Sequence, residues 1–330
     1  MTRTEAQRLI PGLVLCLGLG FLARFLGTHY GAPTMLFALL IGMSLHFLAD
    51  APRFVSGVGF CAKTLLRLGV ALLGLRLTLS DVSGLGVVTV LWVASGTLIS
   101  IAVGVVFCKA FRTTREFGVL TGGAVGICGA SAALAISATL PQTKETERNT
   151  IMTVVSVTAL STVAMILYPL IAGWLALDSQ HTGIFLGATI HDVAQVVGAG
   201  YSVSTETGDT ATLVKLFRVA LLVPIVLLIP IVLLNRNDHT DQSVKRQPFP
   251  LFVIGFTVLV VLNSTIEIPV TLKDTLIGVS SLCLVTAIAA LGVKTSLQSL
   301  FKFGFRPLGL IILETAVLAA WILLGMAWLI

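Results

Sequence analysis

Charge is what this chain lacks: Asp, Glu, Lys and Arg make up 11% of its 330 residues, and mean hydropathy is +1.01. A soluble domain carries roughly 25% charged residues, so that class is excluded and an integral membrane protein follows. Cysteine is scarce and scattered. Cys16, Cys61, Cys108, Cys128 and Cys283 fall in or beside apolar segments, match no metal spacing, and cannot all pair because their number is odd. No Gly-x-x-x-x-Gly-Lys-Ser/Thr loop occurs, which argues against ATP drive within the chain. Hydrophilic stretches are equally rare, and only 235–248 is long. Neither cofactor nor metal is expected, nor nucleic acid, because most basic residues of the net +6 lie in short loops.

What is present is apolar sequence in bilayer-length pieces. Eleven segments can be read, at about 9–27, 31–49, 57–79, 84–108, 118–140, 149–175, 183–203, 211–234, 249–266, 274–293 and 307–329. Arg3 and Arg8 precede the first, as in a signal peptide, but no small-x-small site follows, so an uncleaved helix is expected. With the N-terminus inside, twelve basic residues fall in inner loops and only Lys144, Arg148 and Lys273 in outer ones. That bias predicts a cytoplasmic N-terminus and a periplasmic C-terminus.

The segment 118–140 carries no charge, yet Gly118, Gly122, Gly123, Gly126 and Gly129 interrupt it. Glycine costs roughly 1 kcal/mol against alanine in a helix interior, so a plain anchor gains nothing from this pattern. Gly-interrupted segments serve close helix packing or a discontinuous transporter helix. The second use predicts a break near Gly126 and Gly129, with a half-helix starting near Cys128 to Ser131.

Sliding the chain by 155 residues lays 31–49 on 186–204, 57–79 on 212–234, 118–140 on 273–295 and 149–175 on 304–330. Five spans per unit is odd, so the second unit enters from the opposite side: an inverted 5+5 repeat. The expected fold is therefore an all-α polytopic membrane protein of about 11 transmembrane helices. Residues 1–30 form an extra N-terminal helix, 31–175 the first repeat and 176–330 the second. Segments 118–140 and 274–293 are the expected discontinuous, crossing pair.

Lys63, Arg67, Arg76, Lys215 and Arg218 fall within spans, against two acids, Asp192 and Glu314. Ionisable groups at that depth point to function, although Arg76, Lys63 and Lys215 could also reach an interface. The surplus of cations suits an anion. Arg67 and Arg218, whose planar forks bind oxyanions bidentately, are the expected substrate contacts. A second polar set is His191, Asp192 and Gln195. His191 and Gln195, at i and i+4, would be neighbours on one helix. The three read either as a proton-exchanging coupling group or as an interhelical hydrogen-bond network.

Together, Leu65-Leu66-Arg67-Leu68-Gly69, Gly74-Leu75-Arg76-Leu77-Thr78, Ile127-Cys128-Gly129-Ala130-Ser131-Ala132, Gly187 to Val197, Lys215-Leu216-Phe217-Arg218-Val219, Asn263-Ser264 and Ala290-Leu291-Gly292 resemble the YeiH-type sulfate exporter family of bacterial inner-membrane proteins. Asp192 departs from the glutamate common among those relatives. The resemblance implies a fold related to bile-acid symporters and cation/proton antiporters, with a panel domain and a core domain of crossed, broken helices. It also implies export of sulfate or a similar sulfur oxyanion.

The expected function is a secondary transporter exporting sulfate or sulfite across the inner membrane by alternating access, coupled to protons or sodium, and not an enzyme. The expected substrate residues are Arg67, Arg218, Gly126, Cys128, Gly129, Ser131 and Thr286; His191, Asp192 and Gln195 are the coupling residues. The partners are the anion, the coupling ion and the lipid bilayer, with a homodimer left open. One alternative is a cation/proton antiporter; a remote one is an intramembrane serine hydrolase pairing Ser131 with His191.

Overall fold

The computed structural model describes residues 3–30, 33–49, 51–141, 143–233, 251–295 and 305–328, and the hydrophilic stretch 235–248 lies outside them. Among the described residues every regular element is helical. Seven helices are long and apolar enough to cross a membrane: Arg8–Tyr30, Pro52–Arg76, Val87–Phe107, Lys144–Trp174, Thr205–Ile229, Val270–Lys294 and Phe305–Trp328. Thr34–Ser44 and Leu251–Thr265 are shorter apolar helices where two further spans were expected.

Two bundles form. The first holds α1 (Arg3–Tyr30), α2 (Thr34–Ser44), α3 (Pro52–Phe60), α4 (Leu66–Leu72), α5 (Leu79–Gly84), α14 (Leu251–Thr265) and α15 (Val270–Lys294). Backbones meet closely where Gly42 of α2 faces Gly292 of α15, and Gly12 of α1 faces Gly57 of α3. Ser280 Oγ donates to Gly69 O at 2.6 Å and Asn263 Nδ2 to Leu77 O at 2.9 Å, tying α15 and α14 to the same group.

The second bundle holds α6 (Val87–Phe107), α7 (Arg115–Gly126), α8 (Ala130–Ser137), α9 (Lys144–Trp174), α10 (Ser179–Thr189), α11 (Val193–Val203), α12 (Thr205–Ala220), α13 (Leu222–Leu233) and α16 (Phe305–Trp328). Each bundle draws on both halves of the sequence.

Segments 118–140 and 183–203 do not run straight across. Residues Thr114, Glu116, Phe117 and Leu120 share one small cavity with Leu140, Pro141, Thr143 and Asn149. The start of α7 therefore lies beside the end of α8, and the chain reverses between them. The second reversal is drawn against α12. Gly183 of α10 meets Thr207 and Thr210, and Gly187 meets Ala211 and Val214, so α10 runs parallel to α12. Gly200 of α11 comes back to Gly208 and Ala211. Both segments are helical hairpins, α7–α8 and α10–α11.

The connecting α9 has 31 residues, about 46 Å at 1.5 Å per residue, enough to traverse a bilayer core of about 30 Å. The bases of the hairpins lie at its opposite ends. Their tips meet near its middle, where Ser161 Oγ accepts from Asp192 N at 3.0 Å.

This corrects the expected pair. The second interruption lies at 190–192, whereas 274–293 belongs to α15, an unbroken helix of 25 residues. At this segment the 155-residue register pairs a hairpin with a straight helix.

Candidate functional site

The first tip is made by glycine. α7 stops at Gly126, α8 begins at Ala130, and Gly129 between them has φ +64. A side chain there is strained whatever the space, since a non-Gly residue in such a region costs about 1–3 kcal/mol. The other glycines of α7 serve packing: a Cβ on Gly118 would overlap Gly104 O of α6, and one on Gly122 would meet Ser100 O.

The second tip has no glycine. Ile190 (φ −66, ψ 139) and Asp192 (φ −97, ψ 139) are extended, a conformation open to any residue. The Asp192 carboxylate accepts from Ala194 N at 2.9 Å and caps α11. His191 therefore sits in the break rather than sharing a helical face with Gln195, which corrects the i, i+4 reading. Gln195 Nε2 donates to Thr162 Oγ1 of α9 at 2.7 Å.

Both hairpins turn at a helix C-terminus that leaves carbonyls without intrahelical partners. Two fully buried cations of α12, Lys215 and Arg218, each 0% exposed, supply the donors. Lys215 Nζ donates to Ile127 O at 2.7 Å and Ile190 O at 2.8 Å, bridging the tips. Arg218 donates from Nε to Gly126 O (2.9 Å) and from its terminal nitrogens to Val125 O (2.8 Å), Gly187 O (3.0 Å) and Ile190 O (3.1 Å). Thr97 of α6 adds a donor to Gly126 O at 2.9 Å. The charges also oppose the partial negative ends of α7 and α10. Sequence reading had marked Arg218 as an anion contact. Its guanidinium is spent on backbone carbonyls, and Lys215, passed over, links the two breaks.

At the same tip α8 presents its opposite pole. Gly129 provides no side-chain cap. The Ala132 N–H faces the Cys128 sulfur, and no hydrogen-bond acceptor meets the N–H groups of Ala130 and Ser131 among the described residues. Ser131 is exposed, and Ala130, Asp192 and Val193 are half-buried. The α8 N-terminus with the Ser131 side chain is therefore accessible at the first tip, and Asp192 is partly accessible at the second.

Two expected substrate residues lie elsewhere. Arg67 is exposed on α4, outside the hairpin bundle, because α4 turns that face away from α15. Replacing it by glutamine should therefore change stability by less than about 0.5 kcal/mol, read as the unfolding midpoint in detergent. Thr286 donates to Leu282 O within α15 at 2.8 Å and packs against Gly20 of α1. Arg76 pairs with Asp209 at 3.3 Å and lies over the Tyr201 ring, joining the two bundles. A cavity of about 270 Å³ opens beside it, with Arg24, Thr34 and Ser281 in its wall. Asp192 makes no ion pair with Arg67 or Arg218 among the described residues.

His191 is buried, and its Nε2 lies 3.1 Å from Thr315 Oγ1. Thr315 Oγ1 also lies 2.8 Å from Ile311 O, so its one hydroxyl hydrogen has two acceptors within reach. No Ser131–His191 hydrogen bond is formed among the described residues.

Among the described residues every regular element is helical and seven helices are long and apolar enough to cross a bilayer, which defines a multi-pass membrane protein. The chain belongs to the family described as Conserved hypothetical protein 698, whose model matches residues 11–311. It is 52% identical over 324 residues to UPF0324 membrane protein CT0845 of Chlorobaculum tepidum, covering 98% of this chain and 90% of that one. Against UPF0324 membrane protein TauZ of Paracoccus denitrificans the identity is 46%, covering 98% and 97%. UPF0324 membrane protein PA5383 of Pseudomonas aeruginosa is 32% identical, with 97% and 93% covered. No solved structure matches.

Proposed function

We propose that the protein is a secondary transporter that moves a small oxyanion, sulfate or sulfite, across the bacterial inner membrane by alternating access. It performs no covalent chemistry. The observation that carries this reading is the uncapped N-terminus of α8, open at the hairpin tips and backed by Lys215 and Arg218. A helix N-terminus offers oriented N–H donors and partial positive charge, the recurring means of holding an anion at membrane depth. Ser131 supplies a hydroxyl, and Cys128 and Gly129 shape the turn. The sulfur oxyanion comes from the sequence resemblance.

Re-entrant hairpins also refine the orientation we propose. If neither hairpin crosses, Lys144 and Arg148 move to the inner side, leaving Lys273 as the one basic residue of the outer loops. The N-terminus is then cytoplasmic and the C-terminus periplasmic, with a stronger positive-inside bias.

A cation/proton antiporter is the competing reading, and the half-buried Asp192 at the neighbouring tip favours it. Ala130→Pro separates the two. Proline is tolerated at the first position of a helix but has no N–H, so it removes one anion donor and leaves Asp192 intact. Sulfate or sulfite at one hundred times Kd should stabilise the purified wild type by about 2.7 kcal/mol. The variant should lose most of that gain. A gain from sodium alone, unchanged by Ala130→Pro, selects the antiporter.

A further inference from the structure

Glu314 of α16 has no place in the tip site, yet it is 0% exposed. Its Oε1 lies 2.7 Å from Thr121 Oγ1 of α7, and its Oε2 has no hydrogen-bond partner. A buried, unpaired carboxylate is too costly to remain ionised without compensation. No cation compensates it: among the described residues Glu314 makes no ion pair. α6, which meets it at Gly104, contains no titratable side chain. On α7 the charged residues are Arg115 and Glu116, both exposed at its start. On α10 the titratable residue is His181, beside Asp178 at the hairpin base. α9 carries Lys144, Glu145, Glu147 and Arg148 at its beginning and Tyr168 beyond the tips; α16 itself adds Arg306.

The hydrogen bonds around the carboxyl group fit a protonated acid. Thr121 has one hydroxyl hydrogen and two close acceptors, Phe117 O at 3.0 Å and Glu314 Oε1 at 2.7 Å. A carboxylate leaves Thr121 to serve one of them. A carboxylic acid donates to Thr121 Oγ1, which then donates to Phe117 O, and both contacts are kept. The neighbouring residue, Thr315, lies 3.1 Å from His191 Nε2 at the second tip. Glu314 thus touches the first hairpin through its own side chain, and the second through the next residue of its helix.

We propose that Glu314 is the site that binds the coupling proton: its carboxylate takes one proton from water to become the neutral acid that hydrogen-bonds the first hairpin to α16 through Thr121, and returns it when the two part. The coupling role rests on the transport reading above; proton binding does not.

The test uses full-length protein and Glu314→Gln, an isostere of the neutral acid that should insert and fold as wild type does. Infrared difference spectra at neutral pH are expected to show a protonated-carboxyl stretch in wild type that is missing from the variant. In liposomes, a sulfate or sulfite gradient should acidify or alkalinise the lumen with wild type, and that response should vanish with Glu314→Gln while anion exchange persists. Identical carboxyl bands in the two proteins overturn the proposal. So does a variant that still moves protons with the anion. If wild type moves no oxyanion but the band is present, the transport reading falls and the proton site stands.

Discussion

Arg218→Met is expected to keep the protein from accumulating in folded form. The side chain serves four carbonyls at two helix ends, and a methionine serves none. Gly126 O keeps Thr97 and Ile190 O keeps Lys215, so the orphans are Val125 O and Gly187 O. An unsatisfied buried polar group costs about 1–3 kcal/mol, which puts the loss at about 2–6 kcal/mol for the pair. Against a total stability of about 5–15 kcal/mol that is severe. Lysine restores the charge but not the fork and should rescue only in part. Fluorescence-detected size-exclusion chromatography of the membrane extract reads the result. A monodisperse Arg218→Met peak at wild-type height would mean that the tips hold together without the guanidinium.

Gly118→Val should be comparably damaging by a different route. Gly118 and Gly104 face each other backbone to backbone, each blocking the space of the other's Cβ. Backbone cannot swing aside as a side chain does, so α7 must leave α6. Ser100 and Thr97 would then be drawn from Gly122 O and Gly126 O, which they now reach at 2.9 Å. Overpacking usually costs about 1–3 kcal/mol, and the lost hydrogen bonds add to it. The variant should lose both thermal stability and anion binding. Gly278, with open space around its Cβ position, is the control, and Gly278→Ala should behave as wild type.

The two hairpin tips differ in how far sequence betrays them. The first was legible because its turn needs φ +64 at Gly129, and that requirement shows as a glycine where a membrane helix has no use for one. The second runs through extended residues that demand no special side chain. Its fixing groups, Ser161, Lys215 and Arg218, are remote in sequence. One local sign existed: Asp192, followed three residues later by Gln195, reads as a helix start. Membrane topology was harder still, since a hairpin and a crossing have the same hydropathy. For Arg67 and Arg218 the sequence gives equal depth but not direction, and packing exposes one and buries the other.

Flux of labelled sulfate and of labelled sulfite into liposomes holding the purified wild-type protein is the most direct test of the central claim. Saturable uptake of at least one oxyanion is predicted, reduced at least tenfold by Ala130→Pro, which takes one donor from the α8 N-terminus. Uptake of neither anion, or equal uptake by both proteins, would contradict an oxyanion site at the hairpin tips.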